Sequence, residues 1–130
     1  MQNKEQKLKP TNAIKLASNS ESIYKDWLKI LKPWNKLTDK EINIAAMFVK
    51  SYIENKDNVS DLETLNKLIF STENKRKIRL AEGLTPTYFQ IILRGLRDKN
   101  FILENNTLNL QYVPVFDANN NIILAIILTQ

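Results

Sequence analysis

Four cationic side chains crowd residues 75–79, and a glutamine and an arginine follow them within residues 90–94. These six residues are Lys75, Arg76, Lys77, Arg79, Gln90 and Arg94. Lysine and arginine neutralise phosphates, while in a DNA major groove glutamine pairs with the edge of adenine and arginine with that of guanine. The stretch therefore has the residue types for DNA binding. A solvated helix face without a ligand explains the same cluster equally well.

The residues around this cluster predict two helices joined by a tight turn. Residues 75–80 suit a helix, and Gly83 suits the left-handed position that ends one. Thr85 suits the N-cap and Pro86 the first position of a second helix that runs to about Lys99. Its predicted buried face carries Phe89, Ile92, Leu93 and Leu96, and its predicted reading face carries Thr87, Gln90, Ile91, Arg94 and Asp98. Ile91 suits a thymine methyl group but fits a protein contact better, and Asp98 repels phosphate.

A short hairpin is predicted directly after the second helix. Two apolar segments, residues 101–103 and 108–110, flank a polar turn that contains Asn105 and Asn106. Asparagine accepts a positive φ, which tight hairpin turns require. The hairpin at residues 101–110 would form a wing, and Asn105 and Asn106 would touch the DNA backbone beside the major groove.

Residues 37–114 resemble the winged helix-turn-helix superfamily. In its MarR-like layout, a helix that opens with an LT..E pattern precedes the motif, and Leu37, Thr38 and Glu41 reproduce that pattern here. The block is also, more loosely, similar to small winged-helix proteins of crAss-like tailed phages. The resemblance implies an α+β, mainly α fold: a winged helix-turn-helix with an additional N-terminal helix and C-terminal β-hairpins. Arg79 and Glu82 depart from the family, which usually has a small residue and an apolar residue at these positions.

The rest of the chain divides into an arm, further helices and a last hairpin. Residues 1–20 form a polar, basic arm that is either a disordered tail or a segment that orders on a partner. Residues 21–114 form the core. Its first helix spans residues 21–34 and is stopped by Pro33, and its central, most buried helix runs from a capping box at Thr38 to about Glu54. A second capping box at Ser60 begins a short helix whose predicted inward residues are Leu62, Leu65, Leu68 and Ile69.

The C-terminal segment, residues 111–130, is predicted to form a second hairpin. Its strands are residues 112–116 and 122–128, and the second strand is apolar on both faces. Such a strand needs cover on both sides. Either the N-terminal helix or another chain supplies that cover, and the second choice is slightly favoured. This makes the protein a predicted homo-oligomer with an interface at Ile122, Leu124, Ile126 and Leu128.

Composition argues against catalysis. The 130 residues include neither cysteine nor histidine, which removes thiol nucleophiles, histidine acid–base chemistry and the usual zinc sites. The acidic pairs Asp39/Glu41 and Asp61/Glu63 lie in helix first turns, where carboxylates cap the helix. We therefore expect no enzyme activity, no catalytic residue, no metal, no cofactor and no small-molecule substrate. The net charge of +5 favours a polyanionic partner, although codon bias in an AT-rich genome explains it as well.

Two functions of different classes follow from these expectations. The first is a non-catalytic winged-helix protein that binds double-stranded DNA, as a small phage-type regulator, replication accessory or packaging factor. The second is a structural subunit of a tailed-phage virion, such as a portal, neck ring or connector, which docks other subunits through the winged helix and the arm. Because the sequence has neither a signal peptide nor an apolar run of membrane-spanning length, no membrane partner is expected. The expected location is the cytoplasm of the bacterium or host cell, or the virion for the second function.

Overall fold

The computed structural model describes residues 13–14, 22–116 and 122–123. Its helices are α1 (Ile23–Ile30), α2 (Lys32–Asn35), α3 (Asp39–Asn55), α4 (Leu62–Ile69), α5 (Thr72–Ala81) and α6 (Pro86–Asp98), with a 3-10 turn at Leu110–Tyr112. Its strands are β1 (Ala13–Ile14), β2 (Ile102–Leu103), β3 (Thr107–Leu108), β4 (Val115–Phe116) and β5 (Ile122–Ile123). The fold is α+β and mainly α, as the sequence predicts.

The helix α3 lies at the centre and contacts α1, α4, α5 and α6. The predicted capping box is present: the Thr38 hydroxyl accepts from the backbone N–H of Glu41, and the Glu41 carboxylate accepts from that of Thr38. Phe48, midway along α3, is fully buried and its ring centroid lies 4.9 Å from that of Phe70. The predicted central helix is therefore confirmed.

The turn between α5 and α6 follows the predicted chemistry. Gly83 has a φ of 66°, and its N–H donates to Leu80 while the N–H of Leu84 donates to Arg79. This pair of bonds satisfies the last carbonyls of α5 in the Schellman manner. Two residues later, the Thr85 hydroxyl accepts from Tyr88 and begins α6.

The strands β2 and β3 pair antiparallel and form the predicted hairpin, directly after α6. Asn105 and Asn106 have φ values of 64° and 54°, so both use the left-handed conformation that asparagine tolerates. The hairpin is held to α4 by Asn66, whose buried Oδ1 accepts from the backbone N–H of Leu108 at 2.8 Å.

The second sheet has the strand order β1, β5, β4 and is antiparallel throughout. The predicted C-terminal hairpin is seen at β4 and β5, where Phe116 pairs with Ile122. Ala13, from the stretch predicted to be an arm, pairs with Ile123 on the other edge of β5. The predicted oligomer interface lies outside the described side chains: Ile122 is described by its backbone only, and Leu124, Ile126 and Leu128 are not described.

Three local predictions are wrong. The first helix does not run on to Trp34, because α1 ends at Ile30 and Pro33 lies in the first turn of the separate helix α2, where its missing N–H costs nothing. The cap of α4 is Asp61 and not Ser60, since the Asp61 carboxylate accepts from both the backbone N–H and the hydroxyl of Thr64. Leu62 and Leu68 do not face inward, because they are 45% and 43% exposed, whereas Leu65 and Ile69 are buried as predicted.

Candidate nucleic-acid interface

A groove lies between α5 and α6, next to the turn that joins them. Its volume is about 330 Å³, and its lining residues are Thr72, Lys75, Arg76, Arg79, Pro86, Phe89 and Gln90. We call it the α5–α6 groove. Three of these residues are cationic and none is acidic. The structure thus brings together four of the predicted contact residues, Lys75, Arg76, Arg79 and Gln90.

Arg79 has a structural role that the sequence analysis missed. It is half-buried, and its Nη1 donates to the backbone carbonyl of Leu84 at 2.9 Å. The bond ties α5 to the segment that leads into α6. A guanidinium carries five N–H groups, so this bond leaves donors for a ligand in the groove. Arg79 is therefore part of the structure of the turn.

The helix α6 has the two faces that its sequence predicts. Phe89, Ile92, Leu93 and Leu96 are buried, whereas Thr87, Gln90, Ile91, Arg94 and Asp98 are exposed. Ile91 is 51% exposed. Beside this surface, the ammonium group of Lys40 lies 5.9 Å from the centroid of the Tyr88 ring. The predicted reading face is therefore accessible.

Positive charge concentrates in this part of the molecule. Residues 72–99 carry seven cationic and three acidic side chains, whereas the other residues carry twelve and eleven. Lys77 is exposed on α5 but does not line the groove, and Arg94 is exposed on α6. The net charge of the chain thus arises almost entirely from the two helices and their turn.

The tip of the hairpin belongs to a different concavity. Asn105 and Asn106 line a groove of about 620 Å³ together with residues of α4, among them Glu63 and Lys67. The structure therefore groups these two asparagines with α4 and not with the α5–α6 groove.

A buried carboxylate positions α6 against the central helix. Glu41, in the first turn of α3, accepts from the backbone of Thr38 at 2.9 Å and from the ammonium group of Lys99 at 2.6 Å. Gly95 faces the same carboxylate, and a Cβ at this position would collide with Oε2 of Glu41. Burial alone would raise the pKa of Glu41, but the hydrogen bonds from Lys99 and Thr38 and the charge of Lys99 outweigh it and lower the pKa.

The sequence predicts Glu41 as part of a helix cap, and the capping box confirms that role. Sequence reasoning missed the ion pair, because Glu41 and Lys99 are 58 residues apart in the chain. The available signal was the spacing of Gly95 and Lys99, four residues apart on one face of the predicted second helix.

The described residues contain no group of three or more acidic side chains placed to hold a metal ion. Within the same part of the chain, no helix is long and apolar enough to cross a membrane.

No protein-family model, curated protein or solved structure matches this chain. Its function is therefore inferred from its own residues and their geometry.

Proposed function

We propose that this chain is a non-catalytic DNA-binding protein of the winged helix-turn-helix type. In this proposal α5 and α6 are the two helices of the motif, and β2 and β3 form the wing. The observation that carries it is the α5–α6 groove, which three cations and no carboxylate line beside the accessible face of α6. A small phage-type regulator, replication accessory or packaging factor, working in the cytoplasm of the bacterium or host cell, fits this description.

The proposed contacts to DNA are of two kinds, those to backbone phosphates and those to base edges. Lys75, Arg76 and Lys77 on α5 would neutralise backbone phosphates, which supplies affinity that is independent of sequence. Arg94 and Thr87 on the exposed face of α6 would reach base edges, because a helix of this size fits the major groove. Ile91 would contact the methyl group of thymine.

A second function has one observation in its favour. Ile91 and Tyr88, three residues apart on α6, are both exposed, and a protein partner would bury this apolar pair. The chain would then be a structural subunit of a tailed-phage virion, such as a portal, neck ring or connector, with other subunits as its partners. Asp98 on the same face supports this alternative, since a carboxylate repels phosphate.

Fluorescence anisotropy of the full chain with an AT-rich duplex at several salt concentrations tests the first function. We expect log K to fall with log salt at a slope of about 3 to 4, as for roughly four neutralised phosphates. Arg76→Ala and Lys77→Ala should each reduce the slope by about 1. Lys29→Ala is the matched control, because Lys29 is an exposed cation on α1, outside the candidate interface.

Two results would reject DNA binding by this surface. The first is the absence of binding at low salt. The second is binding that Lys29→Ala weakens as much as Arg76→Ala does, since that would show attraction by net charge alone. In either case the virion-subunit function becomes the one to pursue, through oligomeric state and co-purifying subunits.

A further inference from the structure

We infer that the α5–α6 groove seats one phosphate of the DNA backbone, and that Gln90 belongs to this seat and not to the base-reading residues. The inference rests on the proposed DNA-binding function and makes it specific. It also changes the role of Gln90, which its residue type alone assigns to adenine.

The polar groups that line the groove suit an anion. The volume of the groove is about 330 Å³. Its apolar surface comes from Phe89, which is buried, and from Pro86. Its polar lining comes from three cations, the hydroxyl of Thr72 and the amide of Gln90. All of these groups have hydrogens to donate to phosphate oxygens.

The three cations that line the groove have no acidic partner in an ion pair within the part of the chain that the structure describes. Among the described residues, the ion pairs involve other lysines, and none includes Lys75, Arg76 or Arg79. Lys75 and Arg79 stand four residues apart on one helix face, where like charges repel each other and destabilise a helix. A bound phosphate would remove this repulsion, because its oxygens accept from all three cations.

Arg79 is held in place before any ligand arrives. Its bond to the carbonyl of Leu84 fixes the guanidinium beside the groove, so less side-chain entropy is lost when an anion binds. This pre-organisation favours a fixed, geometrically defined ligand such as one phosphate over a diffuse counterion cloud.

Gln90 lies one helical turn after Pro86, and both residues line the groove. Side chains in a helix point back toward its N-terminus, so the amide of Gln90 extends over the first turn of α6 and toward the three cations. Its N–H groups then donate to the same phosphate. Base reading is left to Thr87, Ile91 and Arg94, which do not line the groove.

Charge substitutions at Gln90 test this assignment, with Gln111 as the matched control because it is exposed on the 3-10 turn after the hairpin. Gln90→Lys should strengthen binding to AT-rich and GC-rich duplexes by the same factor, because the added charge acts on a phosphate and not on a base. Gln90→Glu should weaken binding to both duplexes by the same factor. Gln111→Lys and Gln111→Glu should change either affinity less than twofold. A Gln90 variant that alters the ratio between the two duplexes would overturn the inference, since that is the behaviour of a base-reading residue.

NMR titration of the full chain separates this inference from the proposed function. The probes are inorganic phosphate and a thymidine dinucleotide with one phosphodiester. Saturable shifts of the amide resonances of residues 72–79 and 87–90 with both probes, together with duplex binding, support the phosphate site as proposed. Saturable shifts without duplex binding support a phosphate seat but reject DNA as its source and with it the proposed function. Duplex binding without any shift in these residues rejects the seat and leaves DNA binding in place.

Discussion

The ammonium group of Lys99 lies 2.6 Å from a carboxylate oxygen of Glu41, and this ion pair joins the C-terminal cap of α6 to the first turn of α3. The two side chains are 31% and 11% exposed, so water screens the pair much less than it screens a surface pair. Since the exposed face of α6 is the candidate interface, the pair fixes the orientation of that interface relative to the core.

Replacing Lys99 by methionine should lower the free energy of unfolding by about 1–3 kcal/mol, because a largely buried carboxylate loses its cation and one hydrogen bond. Lys67→Met is the matched control. It breaks an exposed pair with Glu63 on α4, 77% and 83% exposed, and should cost about 0.5 kcal/mol or less. Urea denaturation of both variants measures the difference. Equal losses would show that the Lys99 pair is as weak as a surface pair.

Gly95→Ala should destabilise the protein, although alanine is a better helix former than glycine by about 1 kcal/mol. The new methyl group would displace the Glu41 carboxylate from its bonds to Lys99 and Thr38. In a Glu41→Ala background the obstacle is gone, and the same substitution should become neutral or stabilising. Urea denaturation of the four proteins of this double-mutant cycle measures the coupling. Additive effects would mean that Gly95 and Glu41 do not constrain each other.

The stability of the protein should fall in acid partly because of Glu41. Its pKa in the folded chain is below the ordinary value of 4.5, so the unfolded chain takes up the proton first as the pH falls. The ionised carboxylate of Glu41 therefore contributes its full stabilisation above about pH 5. This contribution is lost as the pH falls through the lower pKa that Glu41 has in the folded chain. Glu41→Gln, which cannot titrate, should therefore have a flatter profile of unfolding free energy between pH 7 and pH 3.

Asp61 contributes to the same profile in the same direction. The backbone N–H and the hydroxyl of Thr64 lower the pKa of its carboxyl group. Glu41→Gln should thus flatten the acid limb in part, and Asp61→Asn should flatten it further when combined with Glu41→Gln. Identical pH profiles for the wild type and Glu41→Gln would contradict the assignment of this acid sensitivity to Glu41.

The parts of the fold that the sequence predicted are those set by neighbouring residues. A left-handed glycine, a threonine cap followed by proline, and two asparagines in a hairpin turn each depend on the conformational preferences of a few consecutive residues. Gly83, Thr85 and Asn105 therefore behave as expected. The split between α1 and α2 was missed because proline fits the first turn of a new helix as well as the end of an old one.

The candidate site was less predictable, because it depends on contacts between distant residues. The cluster of cations on α5 is visible in the sequence, but its shared groove with Gln90 arises only when the turn at Gly83 folds α6 beside α5. The bond from Arg79 to Leu84 and the grouping of Asn105 with α4 have no sequence signal of their own. Residue types thus suggested the candidate binding residues, and tertiary packing determines which of these candidates lie together.

Asn66 should be the residue that keeps the hairpin attached to the helical core. Asn66→Ala would leave the backbone N–H of Leu108 buried without its acceptor, at a cost of about 1–3 kcal/mol. Asn55→Ala is the matched control: like Asn66, Asn55 donates from its side chain to a carbonyl four residues earlier, but it makes no bond to the hairpin. Native-state hydrogen exchange should show faster exchange at the amide of Leu108 in Asn66→Ala and unchanged exchange in Asn55→Ala. If the amide of Leu108 exchanges at the same rate in both variants, then apolar contacts hold the hairpin and the Asn66 hydrogen bond does not anchor it.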